Sequence, residues 1–185
     1  MQYLDAVNTV LRSLGENPVA ALDVRYPTMN LVLPALDTAR IELLTEGWWF
    51  NTRYNIALEP DTLGVVTVPA DTLSFCPDDS SITFEGSRFV NKDTGAPVVS
   101  QSVAGVLVSD LTFEACPSSA QYAIAHSAAY SVYVADNGID NTAQDIQRKI
   151  AGFYRTLSAD HVRAQKVSSY QRPNVRRWLR NLRSC

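Results

Sequence analysis

The hydrophobic period of this chain changes twice along its length, and the order of the changes leaves few architectures open. Leu4, Val7, Val10, Leu11 and Leu14 recur at helical spacing, and the pattern stops at Gly15 with Pro18 just beyond. From about Thr28 to Glu46 the helical spacing resumes in Leu33, Leu36, Ile41, Leu43 and Leu44, with Pro34 either in the first turn or kinking the helix. From Trp48 to Cys116 the period falls to two. Strands are expected at residues 54–58 and 65–68, a hairpin at 81–85 with 88–90 across Gly86-Ser87, and further strands at 106–108 and 111–113, with a turn at 93–97.

Helical spacing returns after Cys116-Pro117. Ser118 or Ser119 caps a helix carrying Tyr122, Ala125, Ala129, Val132 and Tyr133, which ends near Asn137-Gly138. A fourth helix starts at Asn141 or Thr142, with Gln144 or Asp145 placed for a capping box, and runs through Ile146, Ile150, Phe153, Tyr154 and Leu157 to about Ser168. At 1.5 Å per residue it spans about 40 Å, longer than the bundle it joins. Helix, then strand, then helix in 185 residues predicts an α+β fold, mainly a bundle of about four helices with a small antiparallel β-sheet inserted. Residues 1–47 and 117–170 form the bundle, 48–116 the β lobe, and 171–185 a C-terminal extension.

That extension is distinguished by charge. Of 16 cations and 19 acids, seven cations follow His161 while the last acid is Asp160, so the preceding body holds nine cations against all 19 acids. Pro173 restarts a helical pattern in which Val175, Trp178, Leu179 and Leu182 form an apolar stripe. Arg176, Arg180 and Arg183 occupy the other side, with Arg177 beside Trp178. Neither a signal-like N-terminus nor an 18-residue apolar run occurs, so a soluble protein with no membrane partner is expected. Cys76, Cys116 and Cys185 are too few and too widely spaced for a disulfide framework or zinc site, and read as reduced thiols, the first two in strand-like contexts.

Trp48, Trp49 and Phe50 follow the helix exit at Gly47. Each large aromatic buries roughly 150–250 Å², so the block reads as a structural joint between helix and sheet rather than a carbohydrate platform. Asp61, Asp71, Asp78, Asp79 and Glu85 supply carboxylates, but their loop and turn placement is that of solvated acids, not of a glycosidase pair. His126 and His161 lie in separate helices without ligand-spaced partners, Ser127 beside His126 is no triad, and no glycine-rich phosphate loop exists. Neither enzyme, metal nor cofactor is expected.

Two blocks carry a family resemblance. Residues 4–8 through Leu14-Gly15-Glu16-Asn17-Pro18-Val19, then Gly47-Trp48-Trp49-Phe50-Asn51 and Leu58-Glu59-Pro60-Asp61, resemble the tail tubular protein A family, head-to-tail adaptors of short-tailed, T7-like bacteriophages. Residues 64–69, 71–75, the 81–91 hairpin and the two final helices follow in the family's order. The resemblance implies a virion structural protein at the head-tail junction, assembled in the host cytoplasm. It implies a homo-oligomeric ring, commonly of twelve copies, between the portal and the tail nozzle, with genomic DNA passing through the lumen.

The resemblance does not extend to residues 171–185, whose role rests on their own chemistry. As a nucleic-acid binder, five arginines from Arg172 to Arg183 would give a log-log salt slope of up to about −4.5. A DNA binder gains little from a tryptophan and two leucines at helical spacing, whereas a docking helix needs them, so Val175, Arg176, Arg177, Trp178, Leu179, Arg180, Leu182 and Arg183 are taken as portal-docking candidates. An acidic body also suits a channel, since a cationic lumen would retain DNA by accumulating phosphate contacts. The alternatives are a polysaccharide-degrading tail component and a small DNA-binding protein that uses the basic tail.

Overall fold

A computed structural model describes residues 1–22, 27–86 and 88–165. Among these, four α-helices accompany small antiparallel sheets, the α+β composition expected. Helix α1 (Tyr3–Ser13) ends where Gly15, at φ 77°, donates its N–H to Arg12 and Glu16 donates to Leu11. That is a Schellman closure, and it explains why the pattern stops at this glycine. Helix α2 (Met29–Thr45) contains Pro34 as its sixth residue, beyond the first turn, where a proline removes the bond that the Asn30 carbonyl would accept.

Helix α3 (Ser118–Asn137) is the hub, packed against α1, α2 and α4 (Asn141–Ala164). Ala120, Ala123, Ala125, Ala128 and Ala129 are all buried, and their short side chains let three helices approach closely. The caps differ from the sequence expectation. Pro117 holds the N-cap of α3 and Ser118 is already helical. At α4 the cap is Asp140, one residue earlier than expected, and its carboxylate accepts the Ala143 N–H at 2.8 Å.

The β segment forms two sheets. Strands β1 (Thr52–Leu58), β5 (Val103–Ser109) and β2 (Thr72–Pro77) pair antiparallel with β5 in the centre, while β3 (Ile82–Glu85) and β4 (Arg88–Asn91) form the expected hairpin. The strand expected at 65–68 is reduced to one bridge, Val65 with Val99. The Asp61 carboxylate accepts the N–H groups of both Leu63 and Val65, diverting donors that a ladder would use, and Pro69 has none to offer. The strand expected at 111–113 is instead a loop leading into a 3-10 turn, Phe113–Ala115. Leu111 and Phe113 pack into the helical core, and Cys116, beyond that turn, is buried there rather than in a strand.

Two apolar clusters result. One gathers the helices with Trp48, Phe113 and Cys116; the other, in the sheets, gathers Val66, Phe75, Ile82, Phe89, Val103 and Leu107. Gly105 permits the second, because a Cβ there would sit 2.3 Å from the Cys76 carbonyl and 2.7 Å from the Phe75 ring.

Candidate functional site

The joint after α2 is built on one side chain that sequence inspection passed over. Asn51 is 2% exposed. Its Oδ1 accepts the Trp48 N–H at 2.8 Å, and its Nδ2 donates to the carbonyls of Leu44 at 2.8 Å and Ser109 at 3.1 Å. The Ser109 N–H returns to the Asn51 carbonyl at 2.8 Å. One buried amide thereby fastens the end of α2, the aromatic block and the end of β5 to one another.

Trp48 is 7% exposed and lies in the helical cluster, its indole N–H donating to the Leu43 carbonyl at 2.9 Å. Trp49 and Phe50 are half-buried against the same cluster, with their rings edge-on at 5.0 Å. The far wall comes from α4. The His161 ring stands edge-on to Trp48 at 5.6 Å, and its Nδ1 accepts the Trp49 N–H at 3.1 Å. Tyr154 packs on Trp48 at 6.3 Å, and burial with the nearby Glu46 and Glu42 carboxylates pushes its phenol up to about 12. Burial likewise raises the Glu46 carboxyl. His161 falls four residues after Leu157 and seven after Tyr154, so its inward placement was legible in the spacing.

A second tie lies beside the first. Arg40 on α2 bonds Asp37 within its own helix, Asp110 beyond β5, and the Leu111 carbonyl at 2.8 Å. Burial alone would lower the Arg40 pKa, but the Asp37 and Asp110 carboxylates outweigh it and raise the net value. Nearby, burial pushes the Cys116 thiol up to about 11. A pocket of about 420 Å³ opens here between Tyr3, Arg40, Asp71 and Glu114.

Asp61 and Asp79 cap their own turns by accepting backbone N–H groups, and the His126 ring donates from Nδ1 to the Tyr122 carbonyl at 2.9 Å. Among the described residues no group of three His, Cys, Asp or Glu side chains could hold a metal, and no helix is long and apolar enough to cross a membrane. Much helix surface remains outward. Of the 24 residues of α4 only Ala143, Ile146 and Leu157 are buried. Leu31 and Ile41 stand exposed on α2, and Val162 on α4. The structure brings Trp48, Trp49 and Phe50 together at the joint; Val175, Arg176, Arg177, Trp178, Leu179, Arg180, Leu182 and Arg183 lie outside the described residues.

The chain matches the tail tubular protein family over residues 4–167. It is also similar to tail tubular protein A of Klebsiella phage KP34, with 27% identity over 179 residues, covering 96% of each chain.

Proposed function

The chain belongs to the tail tubular protein family, a family of structural phage tail proteins rather than enzymes, and from that premise we propose that it is the head-to-tail adaptor of a short-tailed phage. The observation that carries the reading is α4, a helix about 36 Å long at 1.5 Å per residue that buries three of its 24 side chains. A single chain gains little from so exposed a helix; a ring gains a wall. In this reading the copies, commonly twelve, close a ring between portal and nozzle, and genomic DNA leaves through the lumen without specific binding. Residues 1–47 and 117–170 act as the ring-forming helical lobe, and 48–116 as a β lobe offering a second interface to the nozzle.

Residues 171–185 serve as the portal anchor. Trp178, Leu179 and Leu182 fill a groove on the portal while Arg176, Arg177 and Arg180 pair with acids at its rim. The acidic body partly faces the channel, repelling phosphate weakly enough for DNA to slide. Electron microscopy of the protein mixed with its portal, full-length against a chain truncated after Tyr170, tests both parts. Rings seated on the portal by the full chain and lost on truncation are expected. Undiminished docking by the shorter chain removes the anchor role, and absence of any ring removes the adaptor reading.

A further inference from the structure

We infer that the ring closes by packing the outward face of α2 in one copy against the outward face of α4 in the next; this rests on the adaptor reading above. A cyclic contact is heterologous, so it needs two different patches facing away from each other on one chain. The hub helix supplies that divergence. On α3, Tyr122 and His126 meet Phe153 of α4 at 5.2 and 5.0 Å, whereas Ser131 and Ala135 line a groove with Leu31 and Ala35 of α2. At 100° per residue these two pairs of α3 positions lie on nearly opposite sides of the helix.

The two faces complement each other in size. On α2, Leu31 is 62% exposed and Ile41 38%, with Pro34 and Thr38 between them on the same side. Scattered exposed apolar residues are ordinary, but Leu31, Pro34 and Ile41 share one face of α2 and give it an apolar strip. On α4 the side opposite Ile146 and Leu157 carries Ala151, Ala159 and Val162, the last 55% exposed. Gly152 adjoins them in mid-helix, where glycine costs about 0.5–1 kcal/mol relative to alanine. A Cβ there would meet nothing among the described residues, so no contact among them asks for its absence.

They also complement each other in charge. On α2, Asp37 is held by Arg40 and Glu46 by Tyr154, leaving Glu42 as the excess. On α4, Arg148 and Arg163 hold Asp145 and Asp160, while Lys149 and Arg155 make no ion pair among the described residues. Arg155 lies between Ala151 and Ala159, and Glu42 adjoins Ile41, so large apolar against small and acid against base come together in one register.

Charge exchange tests the assignment. Glu42→Lys and Arg155→Glu each place like charges across the contact, and each is expected to raise the concentration needed for ring formation at least about tenfold. The double variant restores opposite charges and is expected to assemble within about threefold of the native chain. Assembly is read by light scattering and electron microscopy, with thermal melts verifying that every variant folds. Single variants that assemble like the native chain, or a double variant no better than either, overturn the inference and leave the adaptor reading standing, with the portal or residues 166–185 then covering these faces. A native chain that forms no ring, alone or with portal, overturns both.

Discussion

Asn51 illustrates how one residue sets a joint that aromatic bulk only fills. Replacing it with leucine keeps the volume but strands the Trp48 N–H and the carbonyls of Leu44 and Ser109, all in a dry environment. The expected cost for Asn51→Leu is about 3 kcal/mol, seen as a lower urea midpoint with an unchanged slope; a midpoint within error of the native protein would show that water reaches these groups. The same joint makes stability sensitive to base. Tyr154 is pushed up to about 12 from an ordinary 10.0, and Cys116 to about 11 from 9.0, in both cases first by burial. The unfolded chain therefore sheds these protons first as pH rises, so their contribution is complete below the ordinary values and is lost as pH climbs through the folded ones. Denaturation midpoints should fall from about pH 9 upward, and fall less steeply in Tyr154→Phe. A midpoint that stays level through that window would contradict the assignment.

At the scale of elements, α2 carries its own test. A proline at the sixth helical position lacks a backbone donor, which costs about 3 kcal/mol against alanine, offset by the stiffer unfolded chain it provides. Pro34→Ala is expected to raise stability by about 2 kcal/mol, measured as a higher melting temperature; an unchanged melting temperature would show that another donor already serves the Asn30 carbonyl. The helices were legible because their apolar positions repeat over many turns and end at glycines in the left-handed region, Gly15, Gly47 and Gly138. The sheet was only half legible. β2 was read only as a strand-like setting for Cys76, without bounds, because Pro77 and Asp71 punctuate it, and β5 was read as three residues because Gly105 resembles a break. That glycine is demanded by β2 crossing within contact of it, a relation between residues thirty apart that no local period records. At 65–68 and 111–113 the period was right and the ladder absent, because Asp61 and Arg40 claimed the backbone groups first. At the joint the aromatics announced themselves and the helical spacing turned His161 inward, whereas Asn51 acts through a partner 58 residues away and carries no such sign.

For the whole molecule the consequence is a division of labour between two apolar clusters linked by a few polar ties. Phe89 is 1% exposed at the centre of the sheet cluster, packed edge-on to Phe75 at 5.2 Å and against Phe84 at 5.3 Å. Removing its ring in Phe89→Ala forfeits about 3–5 kcal/mol of packing, but only from the side of the molecule that holds the sheets. Helix α3 draws its burial from the other cluster, so its amides should keep slow hydrogen exchange in this variant while those of β3, β4 and β5 become fast. If ring contacts lie on α2 and α4, Phe89→Ala should still assemble at the native concentration and lose only whatever the β lobe engages. Exchange that accelerates equally in α3 would mean that the ties through Asn51 and Arg40 couple the clusters into one cooperative unit. Rings lost while α3 stays protected would move the intersubunit contact from the helices to the sheets.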